Sequence, residues 1–67
     1  MTPRRIGTVL KEIRETKGLT QEELAKKAKV TRSYVALMET GEKANPSLVI
    51  LQRLAKALRV PVSDLLE

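Results

Sequence analysis

Apolar residues recur along this chain at helical spacing. Ile6, Val9, Leu10 and Ile13 fall at i, i+3, i+4 and i+7, which predicts an amphipathic helix from Pro3 to Lys17. Thr2 can cap it, Pro3 suits its first position, and Gly18 suits the residue past its end. Leu19 leads into Thr20-Gln21-Glu22-Glu23, a capping box in which Thr20 and Glu23 each satisfy a backbone N–H at the other's position. A second helix starts there, with Leu24, Ala25 and Ala28 inward, and lasts only about eight residues. Thr31 is the next capping residue, so Lys29-Val30 must be a tight turn. The third helix turns Val35 and Met38 inward and ends near Thr40, where Gly41 can adopt a left-handed cap.

Glu42 to Asn45 is polar loop, and Asn45-Pro46 reads as an N-cap followed by proline at the first helical position. Leu48, Leu51, Leu54, Ala55 and Leu58 form the inner stripe of a fourth helix that ends near Arg59. After Val60-Pro61, the segment from Val62 to Leu66 is a short fifth helix. The expectation is an all-α chain of five helices without strands or internal repeats. No linker is long enough to divide it, so residues 1–67 form one compact domain.

Composition narrows the chemistry. A domain of 67 residues buries only about 60% of the surface its unfolded chain exposes, so a partner can add to its stability. Cysteine and histidine are both absent, which removes disulfides, thiolate and imidazole metal ligands, thiol nucleophiles and a neutral-pH proton shuttle. No enzymatic activity, metal or cofactor is expected. Arg4 and Arg5 are not followed by the apolar run of a signal peptide, and no stretch approaches the roughly 20 apolar residues of a membrane span. A soluble, cytoplasmic location follows. Net charge is +5, and all of that excess lies in residues 1–38, with nine basic and four acidic side chains. Residues 39–67 carry four of each, so the footprint for a polyanion is expected in the first half and scaffold in the second.

Two short helices joined by a tight turn, the second opening on polar residues, form a unit that can project a helix into the DNA major groove. This unit covers about residues 20–39. Residues 18–39, GLTQEELAKKAKVTRSYVALME, resemble the helix-turn-helix of the phage-repressor family, the Cro/C1 or XRE type. Asn45-Pro46-Ser47-Leu48, Leu54-Ala55-Lys56-Ala57-Leu58 and the segment from Val60 to Leu66 resemble its fourth and fifth helices. The resemblance implies a lambda-repressor-like five-helix fold. The family often has glycine where this chain has Lys29, so the turn either holds a lysine at positive φ or closes differently.

The resemblance also implies residue roles. Gln21 matches the family glutamine that holds a phosphate beside helix-end N–H groups, the alternative being a merely exposed first-turn residue. Arg32, Ser33, Ala36 and Leu37 match the base-reading positions. Arg32 can pair with guanine or with a phosphate, and Leu37 can meet a thymine methyl or pack on a neighbouring helix. Thr31 and Tyr34 can send hydroxyls to phosphates, with a ring covering the turn as the other reading for Tyr34. Lys43, Ala44 and Asn45 match the loop that follows the sugar-phosphate backbone, with the Thr40 hydroxyl close by as a further phosphate contact, or are simply solvated. Arg14 and Glu39 match a partly buried ion pair that sets the angle of the third helix. One aromatic residue is too few for single-strand stacking, which favours duplex DNA.

Val49 and Ile50 lie off the inner stripe, and Leu65 and Leu66 add a terminal apolar pair. Such a patch predicts a symmetric homodimer that sets two reading helices about 34 Å apart on a palindromic site, against the alternative that these residues pack within a monomer. The expected function is sequence-specific transcriptional regulation at the nucleoid, without a visible effector domain. The competing expectations are a protein-interaction module, such as the antitoxin of a toxin-antitoxin pair, and nonspecific nucleoid binding.

Overall fold

The computed structural model describes residues 6–43 and 45–66. Four α-helices follow in order, α1 (Ile6–Thr16), α2 (Gln21–Ala28), α3 (Arg32–Thr40) and α4 (Leu48–Leu58), and a 3-10 turn (Val62–Leu65) closes the fold. Among the described residues there is no strand. The expected start of α1 at Thr2 and Pro3 lies outside the described residues.

Side-chain caps set where the helices begin. Thr20 accepts from the Glu23 N–H at 3.0 Å while Glu23 Oε1 accepts from the Thr20 N–H at 2.9 Å, completing the box that opens α2. Thr31 caps α3 by accepting from the Tyr34 N–H at 3.0 Å. The expected Asn45 cap on α4 is corrected, because Ser47 accepts from the Ile50 N–H at 3.2 Å and the helix begins at Leu48. Pro46 itself stays outside the helix, so the serine after it, whose hydroxyl reaches the Ile50 N–H, caps instead. Leu48 then occupies the first turn, before the core begins, and is 62% exposed rather than part of the inner stripe.

The ends of three helices are also alike. The Leu19 N–H reaches the Arg14 carbonyl at 3.1 Å, Val30 reaches Ala25 at 3.0 Å, and Val60 reaches Ala55 at 3.0 Å, closing α1, α2 and α4 through a left-handed residue. That residue is Gly18 in α1, but Lys29 (φ 58°) in α2 and Arg59 (φ 59°) in α4. Lys29 therefore holds the turn at positive φ. A local echo missed in the sequence underlies the last two, Leu24-Ala25-Lys26 to Lys29-Val30 against Leu54-Ala55-Lys56 to Arg59-Val60.

The core gathers one stripe from every element. Leu10, Leu24, Val35, Met38, Leu54, Leu58 and Leu65 are fully buried. α2 packs between α3 and α4, α1 lies against α3, and the terminal turn rests on α4 and α1. The fifth helix expected over Val62 to Leu66 is only this one turn, following Pro61, which has no N–H to donate. It is anchored by Leu65, and full burial of a leucine stabilises by about 1.5–3 kcal/mol. Gly7 brings α1 and α3 together, since a Cβ built there would lie 1.8 Å from the Met38 carbonyl oxygen.

Candidate nucleic-acid interface

The site is organised by a buried carboxylate. Glu39, at the end of α3, has a side chain only 3% exposed. It accepts from Arg14 Nε at 2.6 Å and Nη2 at 3.1 Å, so the pair is bidentate. Arg14 Nη1 donates to the Leu19 carbonyl at 2.6 Å, in the link between α1 and α2. The hydrogen bond that Arg14 donates to Glu39 raises the Arg14 pKa further, outweighing the opposite pull of burial. Gln21 joins the cluster, donating Nε2 to Glu39 Oε1 at 2.9 Å. One carboxylate thus ties the C-terminal end of α1, the first residue of α2 and the last turn of α3 into a fixed arrangement.

That arrangement brings Gln21 and Arg32 to one place. A hollow of about 400 Å³ is lined by Arg14, Thr20, Gln21, Glu22 and Arg32, between the starts of α2 and α3. Glu22 places a carboxylate there, partly offset by Lys26 Nζ at 3.6 Å. The neighbouring Glu23 carboxylate titrates below its usual range, chiefly because it accepts from the Thr20 backbone and is also bonded through the Thr20 side chain. It stays charged to lower pH at a helix start, where the macrodipole favours an anion.

Along α3, Arg32 and Ser33 are exposed, while Ala36 and Leu37 are half-buried. Leu37 is thus only partly available to a groove. Thr31 is exposed, and its hydroxyl oxygen is engaged in the cap while its proton can still be donated. Tyr34 is half-buried and packs against the core with its ring, and Lys43 Nζ sits 5.7 Å from the ring centroid. The Lys43 N–H donates to the Leu37 carbonyl at 3.1 Å, which fixes the loop beside α3. Thr40 is exposed and donates its hydroxyl to the same carbonyl at 3.0 Å, and Asn45 is exposed. Ala44 lies outside the described residues. Tyr34 and Lys43 therefore meet along one flank of α3, while Gln21 and Arg32 lie together at its start.

The expected apolar interface needs correction at two positions. Leu65 is fully buried because the terminal turn packs it against α4 and α1, and Ile50 is half-buried because α4 turns it partly toward the core. Val49 and Leu66 do stand out, each 55% exposed, and Leu48 joins them. Leu48 was missed because its spacing to Leu51 fits the inner stripe; only the true start of α4 shows that it precedes the core. Gly7 and the Gln21 to Glu39 bond were also invisible, since neither a close backbone approach nor a distant pairing leaves a local signal. Among the described residues, no cluster of acidic side chains could hold a metal ion, and no helix is long and apolar enough to cross a membrane.

Known proteins share this fold. The chain is similar to the HTH-type transcriptional regulator SinR of Bacillus subtilis, at 39% identity over 62 residues covering 92% of this chain and 56% of that protein. It thus spans little more than half the length of that curated relative. A crystal structure of SinR, the master regulator for biofilm formation, in complex with DNA superimposes with a TM-score of 0.89 at 39% identity, covering 92% of this chain and 98% of the other. The restriction-modification controller protein C.AhdI of Aeromonas hydrophila superimposes with a TM-score of 0.86 at 43% identity, covering 90% and 89%. A family profile described as helix-turn-helix matches residues 10–65, and the chain belongs to that helix-turn-helix family of transcriptional regulators, of the Cro/C1 type.

Proposed function

We propose that residues 1–67 form one domain that binds duplex DNA sequence-specifically to regulate transcription, acting in the cytoplasm at the nucleoid. α3 enters the major groove, where Arg32, Ser33, Ala36 and Leu37 read bases. Gln21, Thr31, Tyr34, Thr40, Lys43 and Asn45 hold the flanking phosphates. The carrying observation is the hollow that Gln21 and Arg32 share, because it sets a phosphate donor and a base-reading side chain at adjacent helix starts. Gln21 has two amide protons, and the bond to Glu39 uses one, leaving the other for a phosphate oxygen. The likeness to SinR in complex with DNA supports the same reading.

The exposed Leu48, Val49 and Leu66 favour a homodimer built on α4 and the terminal turn. Selection of bound sequences from a random duplex pool tests both parts. One enriched motif is expected, with two half-sites about 10 base pairs, or 34 Å, apart. No enrichment would overturn sequence-specific binding, and a lone half-site would overturn the dimer. In sedimentation, Val49→Lys/Leu66→Lys is expected to be a folded monomer at concentrations where the natural chain self-associates.

A further inference from the structure

The ends of three helices converge on a surface that the proposed reading does not use. A hollow of about 490 Å³ lies between α2 and α4, and a second of about 290 Å³ adjoins it, sharing Lys27, Ala57 and Arg59 and reaching the end of α1. Six cations line the two: Lys17, Lys27, Lys29, Arg53, Lys56 and Arg59. No carboxylate lines either hollow, and among the described residues none of the six is ion-paired. Glu23 acts on Lys27 electrostatically but lies beyond ion-pair distance. Three of these cations come from the half of the sequence whose charges sum to zero. The fold thus joins cations that are remote in the chain.

The helices themselves need only part of this charge. A helix C-terminus carries about −0.5 of an elementary charge, so three together present roughly −1.5 against six full positive charges. An excess of about 4.5 positive charges remains, which suits an external polyanion. A second observation points the same way. Lys29 and Arg59 are the only described non-glycine residues at positive φ, and both line the larger hollow. Gly18 and Gly41 fill the other left-handed caps. At both strained positions the chain keeps a long cation where glycine would fit the backbone better, and such strain gathers at functional sites.

We infer that this basic groove is a second nucleic-acid site, holding the phosphate backbone of a further duplex segment without reading its bases. Lysines on flexible stems suit phosphates as point charges. No aromatic side chain lines the groove, which disfavours unpaired bases. Its apolar lining is Ala28 and Ala57 in the larger hollow with Leu19 and Leu58 at the edge of the smaller, few contacts beside six cations for the large anchors of a protein partner. Gln21 and the groove sit at opposite ends of α2, about 12 Å apart by helix rise, so a duplex on α3 leaves the groove open to another segment. The site bridges or wraps DNA around the protein.

The test separates the two surfaces. Gln21→Ala/Arg32→Ala/Lys43→Ala removes the base-reading arginine and both the amide and the charged phosphate contact of the α3 face, and Lys27→Gln/Lys56→Gln/Arg59→Gly disables the groove without touching a core residue. Circular dichroism melts establish that both variants fold. The probe is a labelled 24-base-pair duplex of random sequence, titrated by anisotropy at several salt concentrations. The α3-face variant is expected to retain salt-dependent binding. Adding the groove substitutions should weaken that binding at least tenfold and reduce the salt slope by about 2–3. Undiminished binding by the combined variant overturns the site. A poly-glutamate peptide that competes better than a duplex of equal charge assigns the groove to acidic proteins and overturns the nucleic-acid reading. Loss of sequence selectivity in the intact chain would count against the proposed function alone, since the groove is measured without it.

Discussion

Gln21 and Glu39, 18 positions apart, are joined by a 2.9 Å hydrogen bond in which the glutamine amide donates to the carboxylate that also clamps Arg14. The start of α2 is therefore oriented by the ion pair that sets α3 against α1. Glu39→Ala would strand a buried guanidinium, at an expected cost of about 3–5 kcal/mol. That is comparable to the entire stability of a domain this small, so the variant should have lost most of its helical circular dichroism at 25 °C. Arg14→Met/Glu39→Leu removes both charges and should recover a folded, cooperative transition. A double variant no more stable than Glu39→Ala would show that the pair does not act as a unit.

The approach of α1 to α3 at Gly7 gives a second expectation. A methyl group there meets the Met38 carbonyl, which is backbone and cannot swing aside. Alanine gains up to about 1 kcal/mol in helix propensity, but forcing atoms into a packed contact costs about 1–3 kcal/mol or more. The clash should win, with a net loss of about 2 kcal/mol in urea unfolding. A stabilised Gly7→Ala would mean that the two helices can separate freely.

Features governed by neighbours in sequence were readable from the chain alone, while those governed by distant neighbours were not. Thr20 with Glu23, and Thr31, announce their helix starts because a cap and its N–H are only three residues apart. Val35 and Met38 declare the inward face of α3 by spacing. The start of α4 was misjudged because Asn45, Pro46 and Ser47 all favour helix starts and only the folded chain chooses among them. Of the pair Leu65 and Leu66, one is buried and one exposed, a choice made by α1 and α4 rather than by the pair. The partnership of Arg14 with Glu39 spans 25 residues, and family resemblance rather than spacing pointed to it. The basic groove escaped notice because Lys27 and Arg59 belong to different helices, and a charge count along the chain cannot bring them together.

Lys29 and Arg59 hold the left-handed conformation at φ 58° and 59°. An L-residue pays about 1–2 kcal/mol there, and glycine gives back about 0.5–1 kcal/mol through its greater unfolded freedom. Each glycine substitution should therefore gain about 0.5 kcal/mol. Lys29→Gly/Arg59→Gly is expected to melt roughly 4–8 °C higher by calorimetry. A lower melting temperature would mean that the cations contribute more to the folded state than the strain removes.

Acid should loosen the start of α2 later than it titrates an ordinary glutamate. The charged form of Glu23 is the one that accepts from the Thr20 N–H, so its folded pKa is lowered. The stability it contributes is complete above the unfolded carboxylate range and is lost as pH falls through the lowered folded value. An NMR titration should place the Glu23 side-chain midpoint below the ordinary glutamate range and show the Thr20 amide shifting with the same midpoint. A Glu23 midpoint within or above the ordinary glutamate range would remove the charge-assisted cap from this account.

Arg32 and Lys43 should separate reading from anchoring. Arg32 is exposed in the hollow it shares with Gln21, placed to enter a groove with α3. Lys43 is exposed on a loop tied to Leu37 and sits over the Tyr34 ring, placed to follow a phosphate strand. Arg32→Ala should cost about 1–3 kcal/mol on the selected duplex and relax preference at one base position. Lys43→Ala should weaken all duplexes alike and lower the salt slope by about one. Because the Lys43 ammonium rests over the ring, Tyr34→Leu should reproduce part of the Lys43→Ala loss while leaving base preference intact. Titrations of the selected and a scrambled duplex at several salt concentrations decide the matter. If Arg32→Ala weakens both duplexes equally, Arg32 holds phosphate, and specificity then rests on Ser33, Ala36 and Leu37.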